Sequence, residues 1–190
     1  MQSAWSSSWP FVGCVFIWLC IIRAESTDSV ARHAAFASEL DYLQYLFQRA
    51  KLRAAVKRLK LQNAKEITAD GLFLSCCRRH RGIKAGCYRY CNYDSFALPA
   101  LQQMTLRAST QCRNESLSAY LHCASSGVNH RGNCRRHQVH LTAAAEKCLD
   151  FCDMRLQQTI VVTRAHAPCV HVLHKIRDTF REFHAELIAS

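Results

Sequence analysis

The spacing of the cysteines constrains this chain most, because one cysteine pattern occurs twice between residues 76 and 152. The first copy is Cys76-Cys77-Arg78-Arg79-His80, closed by a Cys-x-x-x-Cys at 87–91. The second is Asn133-Cys134-Arg135-Arg136-His137, closed by a Cys-x-x-x-Cys at 148–152. Adjacent cysteines bridge each other only through a strained ring, so Cys76 and Cys77 are expected to bond to two different segments. The pattern predicts a domain that disulfides hold together.

An apolar segment near the amino end indicates export. Residues 11–22 are apolar and Ala24 follows them closely, so residues 1–24 are predicted to be a secretory signal peptide. The alternative is a retained N-terminal membrane anchor, because residues 1–10 contain no Lys or Arg and Arg23 precedes the expected cleavage site. The predicted localisation is secreted and extracellular.

Cleavage of the signal would leave ten of the 12 cysteines, which is an even number. An even count behind a secretory signal is typical of disulfide-bonded proteins from oxidising compartments. The predicted disulfide cysteines are Cys76, Cys77, Cys87, Cys91, Cys112, Cys123, Cys134, Cys148, Cys152 and Cys169. Asn114 begins the one acceptable N-glycosylation sequon of the sequence and is the predicted glycosylation site.

Apolar residues at helical spacing predict a mainly α fold. Of the 190 residues, 49% are hydrophobic and 21% are charged, which is enough for a globular domain with a core. Asp28 is expected to cap a long helix that reaches Lys65, and Pro168 is expected to open another helix. The core-facing stripe of that last helix is Cys169, Leu173, Ile176, Phe180, Phe183 and Leu187.

The predicted organisation has three parts. Residues 1–24 are the signal peptide, residues 25–70 are a basic amphipathic helical segment, and residues 71–190 are a small helical domain stapled by disulfides. The predicted apolar face of the basic helix consists of Phe36, Leu40, Leu43, Phe47, Ala50 and Ala54. A second stripe, displaced around the same helix, consists of Leu52, Val56 and Leu59.

The second half of the basic helix offers a surface for anions. The candidate anion-binding residues are Arg49, Lys51, Arg53, Lys57, Arg58 and Lys60. Three interpretations are open: these bases face solvent, they bind an anionic polymer or a membrane interface, or Lys57-Arg58 marks the cleavage site of a propeptide. With a net charge of +11, the expected partner is an extracellular protein, an anionic glycan or a membrane surface, and no nucleic acid is expected.

Together, the cysteines resemble the DB module, a cysteine-rich extracellular domain of nematode proteins whose molecular function is not established. The family pattern has a Cys-Cys pair, a Cys-x-x-x-Cys, two spaced cysteines with a Gly after the second, another Cys-Cys pair and a final Cys-x-x-x-Cys. In this chain these positions are Cys76-Cys77, Cys87 and Cys91, Cys112, Cys123 with Gly127, Cys134, and Cys148 and Cys152, with Cys169 further downstream. The resemblance covers residues 73–180 and leaves the basic helix outside.

Two positions depart from the family pattern. Asn133 stands where the second Cys-Cys pair would begin, and Thr179 stands where the last family cysteine would lie. The resemblance implies twelve cysteines in six bridges. We therefore hypothesise that Asn133 and Thr179 mark one missing bridge, which leaves five.

The catalytic alternative is centred on His80. Cys76-Cys77-Arg78-Arg79-His80 is similar to the active-site stretch of secreted phospholipases A2, in which an Asp follows the histidine and another Cys comes soon after. Arg81 and Ile83 stand at those positions, and no Gly-rich calcium loop precedes the motif. A histidine that activates water needs an orienting acid and a polarising group, and the sequence offers neither nearby. The sequence therefore predicts no enzyme, with a phospholipase-like hydrolase as the alternative.

Histidines also suggest two metal sites, one from Cys134, His137 and His140 and one from His171 and His174. Zinc requires four ligands in a compact set, and its thiolate ligands must stay reduced. A disulfide is favoured for Cys134 in a secreted chain, so we predict no metal and no cofactor. The predicted function is a secreted, non-catalytic binding or structural module.

Overall fold

Helices provide the regular secondary structure in this computed structural model, which describes residue 36 and residues 38–62, 67–96, 115–155 and 160–190. The α-helices are α1 (Glu39–Gln62), α2 (Ala69–Arg79), α3 (Glu115–Ala124), α4 (Arg131–Arg136) and α5 (Leu173–Ala189). Shorter 3₁₀ segments span Ala85–Tyr90, Tyr93–Phe96, Ala145–Cys152 and Arg164–Val172. Within the described ranges there is no strand beyond one isolated bridge between Asn129 and Asp153. The prediction of a mainly α, disulfide-stapled fold is confirmed.

Several predicted features lie outside the described residues. They are the signal peptide at 1–24, both proposed ends of the first helix (Asp28 and Lys65), Cys112 and Asn114.

The last helix, α5, is the element around which the others pack. It contacts α1, α2 and α4, together with the 3₁₀ segments Tyr93–Phe96 and Arg164–Val172. Its predicted stripe is confirmed: Ile176, Phe180, Phe183 and Leu187 are buried and Leu173 packs against the core, while Cys169 is buried in the 3₁₀ segment before it. The stripe divides between two clusters, since Phe180 joins the main core while Phe183 and Leu187 join a smaller cluster beneath α1.

Disulfides join the helices of the main core to one another. The bonded pairs among the described residues are Cys76–Cys123, Cys77–Cys91, Cys134–Cys152 and Cys148–Cys169. Cys87 is also disulfide-bonded. The adjacent Cys76 and Cys77 therefore fix α2 to two different segments, α3 and the turn that follows Tyr90.

Side-chain hydroxyls cap the starts of α1 and α2. Helix α1 begins at Glu39, and the Ser38 hydroxyl caps its first turn by accepting a hydrogen bond from the Asp41 amide at 3.1 Å. The next helix begins at Ala69, where the Thr68 hydroxyl accepts a hydrogen bond from the Gly71 amide at 3.0 Å.

Pro168 does not open an α-helix as predicted. It lies inside the 3₁₀ segment Arg164–Val172, and α5 begins only at Leu173. The 3₁₀ segment is capped by Thr163, whose backbone amide donates to Nδ1 of His166 at 3.1 Å. The bridge from Cys169 to Cys148 then ties this segment to Ala145–Cys152.

Candidate binding surface

The inner side of α1 is packed against α5 and the segment after α3. Tyr45 and Val56 are buried with Val128, Phe183 and Leu187, and Leu52 packs at the edge of this cluster. The Tyr45 ring lies 6.1 Å from the Phe183 ring. The displaced stripe noted in the sequence is thus the one that faces the core. The sequence interpretation missed Tyr45, although it stands seven residues before Leu52 and therefore on the same side of the helix.

Polar contacts fix α1 along its length. Near its start, Arg155 lies 3.8 Å from the Asp41 carboxylate. In the middle, the Arg49 guanidinium forms an ion pair with Glu186 of α5. Near its end, the Lys60 ammonium donates to the Ile188 carbonyl oxygen. These contacts orient the helix, so its opposite side faces solvent.

The side of α1 that faces solvent carries most of the predicted apolar face. Large hydrophobic side chains lie on both sides of this helix, and the displaced stripe is the one that contributes to the buried cluster. The exposed fractions are 65% for Leu40, 54% for Leu43, 39% for Leu46, 72% for Phe47 and 82% for Leu61. Ala50 and Ala54 are exposed between them, whereas Phe36 packs against the buried cluster. We call Leu40, Leu43, Leu46, Phe47, Ala50, Ala54 and Leu61 the outer strip.

Basic side chains accompany the outer strip toward the end of α1. Lys51, Arg53, Lys57 and Arg58 are exposed, and none of them lies within ion-pair distance of an acid among the described residues. The other two candidate anion-binding residues, Arg49 and Lys60, are engaged with α5. The structure therefore divides the predicted basic set into four outward bases and two that orient the helix.

A small polar cavity of about 130 Å³ lies where α1, α4 and α5 meet. Asn133 and Thr179, the two positions that depart from the family cysteine pattern, both line it and are both buried. The side-chain amide nitrogen of Asn133 donates to the Tyr45 hydroxyl at 3.1 Å, and the Arg136 guanidinium donates to the Asn133 side-chain oxygen at 2.8 Å. The Thr179 hydroxyl donates to the Lys175 carbonyl oxygen at 2.8 Å.

His80 directly follows α2, and its ring lies against a backbone amide and a second histidine. Its Nδ1 accepts a hydrogen bond from the Gly82 amide at 3.1 Å, and its ring lies 5.6 Å from the ring of His122. Burial and the neighbouring His122 lower the pKa of His80. The ion pairs of the described residues place no carboxylate against this ring.

The histidines proposed as metal ligands have other surroundings. Cys134 is bonded to Cys152, and His137 Nε2 lies 3.1 Å from the Glu182 carboxylate. Throughout the described ranges, no three His, Cys, Asp or Glu side chains are grouped closely enough to hold a metal ion.

Two further histidines, His130 and His184, are buried although no sequence pattern predicted it. His184 Nδ1 lies 2.7 Å from the Tyr93 hydroxyl, which also lies 2.9 Å from the Ala124 carbonyl oxygen. His130 Nε2 lies 3.0 Å from the Ser125 carbonyl oxygen. Burial lowers the pKa of each histidine to about 4, and for His184 the nearby His130 adds to this effect. Both are therefore neutral members of the core near pH 7.

The disulfide-bonded helical part of the chain matches a known family. The model of the DB module matches residues 76–180, which is more than half of the chain. The chain belongs to the DB module family. The DB module is a cysteine-rich extracellular domain, and α1 precedes the residues matched to it. No curated protein and no solved structure matches the chain.

Within this DB module, the two departures from the cysteine pattern meet at one place. Asn133 of α4 and Thr179 of α5 border the same cavity, and Tyr45 of α1 contacts Asn133 there. The cavity where the two departures meet is thus also where α1 is hydrogen-bonded to α4. Among the described residues, no helix is long and apolar enough to cross a membrane.

Proposed function

We propose that this protein is a secreted, non-catalytic binding module that presents the outer strip of α1 on a disulfide-stapled DB frame. One observation carries the proposal. Five of the eight large hydrophobic side chains that are exposed in the described residues lie on α1, while the opposite side of the same helix is fixed to α5. A continuous exposed apolar strip is typical of an interaction site.

The frame behind the strip favours binding by a preformed surface. α1 is held by Tyr45, by the Arg49–Glu186 ion pair and by Lys60, and α5 behind it belongs to a core with four described bridges. A surface that is already ordered loses little conformational freedom when it binds, so more of its apolar burial contributes to affinity.

The surroundings of His80 support a non-catalytic role. A histidine that acts as a general base is oriented by an acid, whereas Nδ1 of His80 accepts a backbone hydrogen bond and its ring neighbour is another histidine. The disulfides support export, since such bridges persist in oxidising compartments.

The proposal is tested by changing the outer strip and measuring attachment to extracellular matrix and cell surfaces from the protein's own source. The variant is Leu43→Gln with Phe47→Gln. Its matched control is Leu141→Gln with Val161→Gln, which removes two equally exposed apolar side chains elsewhere. We expect at least about a tenfold loss of attachment for the α1 variant and none for the control, with both folded by circular dichroism.

Two results would contradict this proposal. One is equal attachment of the α1 variant and the wild-type protein. The other is an esterase or lipase activity of the purified protein that His80→Ala abolishes, which would restore the hydrolase alternative.

A further inference from the structure

We infer that the partner of the outer strip is an anionic lipid surface, on which α1 lies flat with Leu43 and Phe47 inserted and its outward bases among the headgroups. This inference rests on the proposed function and names the chemistry of its partner.

The outer strip is long and convex, so it can lie on a flat surface. Leu40 and Leu61 are 21 residues apart on one continuous helix, so the strip is about 30 Å long at 1.5 Å per residue. It is a convex ridge of exposed side chains rather than a groove. Leu43 and Phe47 stand one turn apart in its first half and are 54% and 72% exposed. A convex ridge of this kind enters the boundary between headgroups and acyl chains without requiring a complementary cleft.

The basic side chains beside the outer strip favour one kind of partner over the others. Lys57 and Arg58 lie between Ala54 and Leu61 along the strip, and Lys51 and Arg53 flank it. A second copy of the chain would place these bases against one another, so self-association is disfavoured. An anionic glycan would match the bases but would leave Leu43 and Phe47 in water. An anionic bilayer satisfies both, because long basic side chains can lay their stems on apolar groups while their charged ends reach phosphate or carboxylate oxygens.

The acidic residues of α1 lie too far from its outward bases to neutralise them. Glu39 and Asp41 stand in the first turn, away from the bases, and Asp41 faces Arg155. Glu186 of α5 pairs with Arg49, which is largely buried beneath the helix. The outward side therefore keeps the charge of Lys51, Arg53, Lys57 and Arg58.

A tryptophan probe reports insertion directly, because all three tryptophans of the sequence precede residue 19. After removal of the predicted signal, Phe47→Trp would carry the one tryptophan of the secreted protein. We expect its emission to shift to the blue with vesicles of equimolar phosphatidylcholine and phosphatidylserine, and to stay unchanged with phosphatidylcholine alone. Leu141→Trp is the control, and its emission should not shift with either vesicle.

Sedimentation with the same vesicles separates the two contributions. The Lys57→Gln with Arg58→Gln variant should bind about 25-fold more weakly, from about fivefold for each basic residue near an anionic surface. The Leu43→Gln with Phe47→Gln variant should lose binding to the anionic vesicles, while Leu141→Gln with Val161→Gln should bind as the wild type does.

The outcomes also separate this inference from the proposed function. The lipid partner is overturned if the secreted protein does not sediment with the anionic vesicles, or if binding depends on the bases alone and heparin beads retain the Leu43→Gln with Phe47→Gln variant as well as the wild type. If attachment to extracellular material still requires Leu43 and Phe47, the proposed function stands and its partner is a protein. If that requirement fails too, both are wrong.

Discussion

Asn133 and Thr179 line the same cavity, although they lie on different helices and are far apart in sequence. They are also the two positions where this chain departs from the family cysteine pattern. A bridge is lost most readily when both of its cysteines are replaced, since one unpaired thiol would be left otherwise. The shared cavity supports the hypothesis that these two positions once formed a bridge.

Restoring cysteines at these positions should restore a bridge. We expect Asn133→Cys with Thr179→Cys to form a sixth disulfide and to raise the free energy of unfolding by about 2–4 kcal/mol, less the loss of the Asn133–Tyr45 hydrogen bond. Thiol titration and urea unfolding measure both effects, and Asn133→Ser with Thr179→Ser is the control. Two free thiols in the folded double variant would show that the positions do not face each other.

Two aromatic residues of α1 should differ sharply in their contribution to stability. Tyr45→Ala should cost about 3–5 kcal/mol, because it empties the centre of the cluster beneath α1 and leaves Asn133 without its partner. Phe47→Ala, two residues away on the exposed side, should cost under about 0.5 kcal/mol. Chemical denaturation monitored by circular dichroism makes the comparison. Equal costs would mean that α1 is rotated from the orientation described here.

The buried histidines should make stability depend on pH. The folded-state pKa values of His130 and His184 are about 4, below the ordinary 6.5, so the unfolded chain binds more protons as the pH falls. Stability is therefore complete above about pH 7 and declines between pH 6.5 and 4, by about 1.4 kcal/mol per pH unit for each histidine.

Thermal unfolding measured between pH 7 and 4 tests this slope. His184→Gln should reduce it by about half, since one of the two histidines is gone, whereas His171→Gln at an exposed position should leave it unchanged. A wild-type stability that is flat across this range would mean that both imidazoles can be protonated inside the fold.

The count of bridges can be measured on the secreted protein. We expect ten thiols to be alkylated after reduction and none before it, with Cys87 linked to Cys112, the cysteine that the sequence count leaves for it. Reduction should abolish the fold, because bridges contribute roughly 2–4 kcal/mol each. Mass spectrometry and far-ultraviolet circular dichroism check the two statements. A free thiol without reduction, or near-native helicity with it, would contradict them.

Local signals in the sequence account for much of the fold. The stripe of α5 recurs every three or four residues, so burial of Ile176, Phe180 and Leu187 on one face follows from helix geometry alone. The stop after α3 is also local: Gly127 has a φ of +66°, and a Cβ there would lie 2.4 Å from the His122 ring. The family match likewise rests on cysteine spacing that is visible in the sequence.

Disulfide pairing and the burial of histidines could not be predicted from local sequence, because both depend on residues far apart in the chain. Cysteine spacing allows many pairings, and only the packing of α2, α3 and α5 decides that Cys76 bonds to Cys123. The buried state of His130 and His184 depends on aromatic rings such as Phe180 and Phe183, with His130 centred 4.6 Å from Phe183.

Sequence patterns were enough to predict a helical protein, cysteines that follow the DB pattern and a helix before them that is both apolar and basic. The side of that helix that is buried depends on its packing against α5. Periodicity could not choose, because apolar residues at helical spacing lie on two sides of α1. Phe183 and Leu187 of α5 receive Tyr45 and Val56, and Glu186 pairs with Arg49, so Leu43 and Phe47 are left facing solvent.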